Sequence, residues 1–297
     1  MAIAPHIRQR ILALKQEYEQ LRTGKESLLH MLDEAEIPEC VYNSNAIENS
    51  TLTLPETEKI LLEMEVSRSV SVREVFEAKN LARVLTYIRA KAKTETMNRP
   101  LLLLLHKMLI GGIDDSIAGR FRAKGEYVRV GSHIASAPEH IDSAIESMLS
   151  EQANSIDQFV IDTISTSHLQ FEHIHPFNDG NGRIGRVLIH YQLIACGLPP
   201  IIIRDKEKKT YYRALQEFDT TKNTKPMEKI VSLALLESLH KRITYLRGSQ
   251  IISLADYAKK QKNRSAATLL NAAKRQTLPA FRERGVWKIE ENASTTR

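Results

Sequence analysis

The sequence predicts an all-α protein, mainly helical, broken by one short β-hairpin and closed by a small module of two helices and a strand. Three observations carry this expectation. Glycine and proline are scarce, 12 and 10 in 297 residues, and aromatic residues make up only 6%. Apolar residues recur at helical spacing along most of the chain. That rhythm fails at residues 117–138 and again at Val286–Ile289, where short alternating runs replace it. The length suits one large or two ordinary domains with a sizeable core.

The elements follow in order. Ile7, Ile11, Leu14, Tyr18, Leu21, Leu28, Leu29 and Leu32 form one apolar stripe, so Pro5–Glu36 is expected as a long helix that Pro38 ends, weakened at Gly24. Ser44 is expected to cap a short helix that carries Glu48 one turn on, and Thr53 and Pro55 to start another at about 55–65. Glu48 by itself reads as a surface carboxylate. Helices are expected at about 71–92 and 99–111, the second opened by Pro100 and closed by Gly111-Gly112. His106, set among leucines, reads as a core or rim histidine. Within 117–138, Tyr127-Val128-Arg129-Val130-Gly131 alternates like a strand. Its edge suits an extended partner segment as well as it suits an ordinary surface hairpin. Further helices are expected from Pro138 to Ser150, Asp157 to His173, Lys206 to Asp219 and Pro226 to Leu246, with Ile201-Ile202-Ile203 as a short buried step.

One stretch carries the chemistry: His175, Pro176, Phe177, Asn178, Asp179, Gly180, Asn181, Gly182, Arg183, Ile184, Gly185 and Arg186. Pro176 stops the preceding helix, and Asp179-Gly180-Asn181-Gly182 tolerates left-handed backbone. A new helix begins behind it, and the free amides of a helix start attract an anion. Arg183 and Arg186 lie one turn apart beside that start. Imidazole titrates near neutrality, so His175 is the candidate proton acceptor. Asp179 is the candidate oxygen ligand for Mg²⁺. Asn181 and the amides of Gly180 and Gly182 suit phosphates, and Arg183 and Arg186 suit outer phosphates and a leaving group. Phe177 reads as the anchor of the loop. His168, His173, His175 and His190 have no metal-ligand spacing.

The twelve-residue string fits H-x-F-x-[D/E]-G-N-G-R-x-x-R at every fixed position, and in this it resembles the Fic family of adenylyltransferases. The resemblance covers roughly residues 40–240. It implies attack of a protein hydroxyl on the α-phosphate of ATP, with AMP passing to Ser, Thr or Tyr. It also implies that ATP is bound by Phe177, Asp179, Gly180, Asn181, Gly182, Arg183 and Arg186, with His175 catalytic. Tyr211 and Tyr212 lie at an offset that places family tyrosines near the adenine, though each also suits the core. The 117–138 segment corresponds to a flap that positions the target protein. Ser44, Glu48 and Asn49 fit [S/T]-x-x-x-E-[G/N], the mark of a family subset whose inhibitory helix folds onto the nucleotide site. A carboxylate at 48 paired with Arg186 would occupy the guanidinium fork a γ-phosphate needs. Removal of AMP from a modified protein at the same site stays open, as does a homodimer.

The net charge of +6 sits in the tail: from Ile251 onward ten Lys/Arg face four Asp/Glu, and the rest of the chain is neutral. Ser253 and Ser265 are expected to cap two short helices, followed by a strand at Val286–Ile289, which resembles a small winged helix-turn-helix. DNA and protein partners both suit it. The expected division is 1–95 with an inhibitory helix near 44–49, 96–248 as catalytic core, and 249–297 as the tail module. Met1–Arg10 lacks the apolar core of a signal peptide, and Leu101–Leu105 is too short to span a bilayer. Cys40 and Cys196 are expected as buried apolar residues, not a bridge. A cytoplasmic protein without a membrane partner is the expectation.

Overall fold

The computed structural model describes residues 5–66, 69–131, 133–154, 158–261 and 264–293. It is mainly helical, as expected, and its chain falls into two compact units. One comprises residues 37–228; the other comprises the residues up to 36 together with those from 229 onward.

In the first unit the chain leaves the end of α2 (Glu26–Ile47) and enters α3 (Leu54–Glu58), which continues as one wider turn over Lys59–Glu63. Thr53 caps α3 through a reciprocal box with Glu56. Then come α4 (Val72–Lys91), capped by Ser71, and α5 (Arg99–Ile110), capped by Asn98. A two-rung hairpin follows, β1 (Arg129–Val130) with β2 (His133–Ile134). After it run α6 (Ile141–Asn154), α7 (Val160–Ile174), α8 (Asn181–Ala195) and α9 (Lys208–Thr221). The expected start of α7 at Asp157 lies outside the described residues, as does Ser132 in the hairpin. Helix α8 is the axis of this unit. It is buried almost all round, against α4, α5 and α7, which is the pattern of a central helix. Leu102, Leu105, Leu109, Phe171, Phe177, Ile184 and Val187 meet in the core around it.

In the second unit α1 (Pro5–Arg22) and the first part of α2 accompany most of α10 (Lys225–Arg247). Arg242, 1% exposed, is held there by Asp33, Glu36 and the Ser238 hydroxyl. The tail continues through β3 (Ile251–Ser253), α11 (Leu254–Lys260) and α12 (Ala266–Lys274) to β4 (Ala280–Glu283) and β5 (Val286–Glu290). Its sheet has the order β3-β5-β4, all antiparallel.

Four local expectations are corrected. The long N-terminal helix breaks at Gly24, whose φ of 73° is left-handed. Pro38 does not end a helix but lies inside α2. An internal proline costs about 3 kcal/mol, and complete burial of Val41 and Ile47 further along offsets it. Ser44 therefore caps nothing; it is buried within α2. Cys196, at the end of α8, is exposed and Cys40 half-buried, both unbridged.

Candidate active site

The loop between α7 and α8 holds the twelve-residue string. His175 ends α7 in left-handed backbone, φ 51° and ψ 61°, which strains a non-glycine residue. Arg122, 3% exposed, holds the turn. Its Nε donates to the His175 carbonyl at 2.9 Å, and its backbone N–H donates to the Pro176 carbonyl at 2.9 Å. The same guanidinium donates to the carbonyls of Glu126 and Ser136, on both sides of the hairpin. One side chain thus ties the segments flanking the hairpin to the loop between α7 and α8.

His106 holds the loop from the other side. Its Nδ1 accepts the Gly119 amide and its Nε2 lies 3.0 Å from the Asp179 carbonyl. Its ring stacks on Phe177 at 3.7 Å. Phe177 is fully buried, the anchor expected of it. Asn181 closes the loop: its Oδ1 accepts the Phe177 amide and its Nδ2 donates to the Phe177 carbonyl. That side chain is therefore engaged within the loop, and Asn181 presents its backbone to the groove. Gly180 has φ 81°, and a Cβ there would crowd Leu109 and Ile110 at 3.1 Å.

A groove of about 460 Å³ opens over this loop, lined by Glu48, Arg73, Glu77, His175, Asp179–Arg183 and their neighbours. Asp179 is paired with Arg183, Oδ1 to Nη2 at 3.1 Å, and with Arg73. Burial alone would raise its pKa; the two guanidiniums outweigh it and hold the carboxyl below its usual value. Glu77 completes the network, 3.0 Å from Arg73 and 3.2 Å from Arg183. Among the described residues no three His, Cys, Asp or Glu side chains gather as metal ligands.

Arg186, 5% exposed, faces the end of α2. Its Nε donates to the Ser44 hydroxyl at 2.9 Å, and its Nη2 to the Ser44 carbonyl and to Glu48 Oε1, each at 2.8 Å. Nη1 has no protein partner. Gly182 makes room for this carboxylate: a Cβ there would stand 2.2 Å from Glu48 Oε1. Helix α9 holds the end of α2 in place. Lys208 donates to the Ala46 carbonyl and to Asn49 Oδ1, and the Tyr212 hydroxyl donates to the Ile47 carbonyl.

Tyr211 is buried, with its hydroxyl 2.8 Å from His168 Nε2 and its ring 5.8 Å from the Arg186 guanidinium carbon. Neither tyrosine lines the groove. Tyr211 supports Arg186 from behind, and Tyr212 fastens α2. Beside them lies Glu172, 7% exposed, whose Oε1 has no hydrogen-bond partner. Burial pushes its pKa up to about 8 against the pull of Arg186, so it is protonated at neutral pH. Sequence reasoning missed Arg73, Arg122 and Glu172, and it placed His106 in the core, where it is, without its hold on the loop. Only His106 carried a signal, as a polar residue on a leucine-rich face.

The site is thus of a recognisable class: a helical core whose central helix starts in a Gly-rich anion cradle, flanked by a histidine and paired arginines. Residues 96–193 match the Fic/DOC family. The protein adenylyltransferase Fic of Nematostella vectensis is 31% identical over 183 residues, 60% of this chain and 42% of its own length. That of Culex quinquefasciatus is 32% identical over 181 residues, 59% and 36% of the two chains. The chain spans about two fifths of the length of these relatives. Among solved structures, a Fic-domain-containing signalling protein from Bacteroides thetaiotaomicron aligns over 81% of this chain and 97% of its own, with a TM-score of 0.74 and 24% identity. A Fic family protein from Desulfovibrio desulfuricans aligns over 100% and 99%, with a TM-score of 0.67 and 20% identity. These structures share the fold. No helix among the described residues is long and apolar enough to cross a membrane.

Proposed function

We propose that this chain is an auto-inhibited protein adenylyltransferase, passing AMP from ATP to a hydroxyl of a target protein. The carrying observation is the 2.8 Å bond between Glu48 and Arg186 at the mouth of the anion cradle. The backbone amides at the start of α8, with Arg183 and Arg186 beside them, make the field a triphosphate requires. His175 takes the proton of the attacking hydroxyl. The new bond joins that oxygen to the α-phosphorus, and the bond to pyrophosphate breaks. The amides of Gly180, Asn181 and Gly182 receive the phosphates, while Arg183 and Arg186 balance the departing charge.

Mg²⁺ bound mainly by phosphates needs only one or two protein carboxylates, and the ionised Asp179 supplies one. The ion would lend charge neutralisation there, and Arg73 would release Asp179 to hold it. The β1–β2 hairpin, Arg129–Val130 with His133–Ile134, offers the target an edge of backbone groups.

Glu48 opposes all this in two ways. It takes the Arg186 donor that a γ-phosphate requires, and its charge repels a polyanion. The test of the catalytic assignment is His175→Ala. AMP transfer from labelled ATP falls by about 10²–10⁴-fold, the usual worth of a general base, while ATP binding by calorimetry stays. Transfer at the parent rate would overturn the role of His175.

A further inference from the structure

The tail module has a face that the catalytic reading does not use. Helix α12 buries Leu269, Ala272 and Ala273 in a small core with Leu254, Tyr257, Leu278 and Ile289. Its opposite face, Ala267, Thr268, Asn271 and Lys274, continues into Arg275 and is exposed, as is Arg264 just ahead of the helix. Helical spacing of three and four residues puts these side chains on one stripe.

The charges of the module are sorted. Asp256 pairs with Lys259, Glu291 with Lys260, and Glu283 with Lys288. Among the described residues, Arg264, Lys274 and Arg275 enter no ion pair, and α12 contains no acid. Among the described residues of the module, this stripe therefore carries three cations that no acid answers. No large apolar side chain is exposed on α11 or α12. A protein-docking face would be enriched in aromatic residues and methionine at its centre; this one has alanines, a threonine and an asparagine between cations.

We propose that this face of α12 binds double-stranded DNA. Arg264, Lys274 and Arg275 hold phosphates at the two ends of the helix. Ala267 and Thr268 let it approach the floor of the major groove, which is wide enough for an α-helix. Asn271 stands in the middle of the stripe, where its amide can donate to and accept from an adenine edge. Between β4 and β5, Arg284 and Gly285 take φ of 50° and 77°, the tight two-residue turn of a hairpin that projects as a wing.

The test is anisotropy of the full chain with labelled 30-base-pair duplexes of mixed sequence. Three phosphate contacts predict that affinity falls about 40-fold between 50 and 200 mM salt. Arg264→Ala/Lys274→Ala/Arg275→Ala should weaken binding at 50 mM salt at least ten-fold and flatten the salt dependence, with an unchanged melting temperature. Asn271→Ala should keep the salt dependence and lose the sequence preference recovered by selection from random duplexes. Absence of binding by the parent chain at 50 mM salt would overturn the proposal. So would equal affinity in the triple variant, or equal affinity for polyglutamate, which would mark the stripe as a protein-docking face.

Discussion

With Nδ1 of His106 accepting the Gly119 amide, the ring proton must sit on Nε2, where it donates to the Asp179 carbonyl. Burial lowers the pKa of this imidazole to about 4, so the arrangement is fixed at any working pH. His106 thus sets the height of the Asp179–Gly180 peptide without touching a reacting atom. His106→Leu should lower kcat about 10- to 100-fold, the cost of a loop displaced by about an ångström, with KM for ATP changed much less. A parent-like kcat would refute the positioning role. Glu172 gives a prediction of another kind. Its folded pKa of about 8 exceeds the unfolded carboxyl value, so the native state retains a proton that the unfolded chain releases. The contribution is intact below the unfolded pKa and is lost as pH rises toward 8. Glu172→Gln escapes that loss: its melting temperature should match the parent near pH 4 and exceed it increasingly up to pH 8. Parallel melting curves across that range would contradict the buried neutral acid.

At the scale of elements, the proposed inhibition would depend on how the end of α2 is fastened, not on Glu48 alone. Ser44 gives Arg186 a carbonyl and a hydroxyl, and Lys208 and Tyr212 of α9 bind the last carbonyls of α2. A hydrogen bond of this kind is worth about 1 kcal/mol, so Tyr212→Phe should raise basal transfer up to about five-fold. In a Glu48→Gly background the same change should do nothing. An increase there of the same size would place Tyr212 outside the inhibitory path. The chain announced the motif because its residues are contiguous and each is of a type the chemistry demands. The device around it was harder to read. Pro38 is a helix breaker by local rules, yet packing of Val41 and Ile47 carries α2 through it, so the Ser44–Glu48 segment is the end of a long helix and not a separate short one. Arg122 was silent in the sequence, since a buried arginine answered by carbonyls looks like any other arginine until the fold brings residues 126, 136 and 175 to it, and Arg73 was silent because only the fold sets it against Asp179. Tyr211 and Tyr212 shared one offset and proved to have different partners.

At the scale of the molecule, the helical architecture was legible from composition and period, and the tail's two capped helices from Ser253 and Ser265. What escaped were β3 and β4, strands of three and four residues with no alternation of their own until they pair with β5. The unit formed by residues 37–228 contains the whole proposed catalytic and inhibitory apparatus, from Glu48 through the flap to Arg186 and Tyr212. The charged face of α12 belongs to the other unit and is expected to act without altering the first-order chemistry. The most direct comparison lies within the first unit: AMP incorporation from labelled ATP by the parent chain and by Glu48→Gly, with nucleotide binding measured in parallel. Incorporation should rise ten-fold or more in the variant, and the rise should be abolished when His175→Ala is added. An unchanged or lower rate with ATP binding intact would contradict the proposed auto-inhibition.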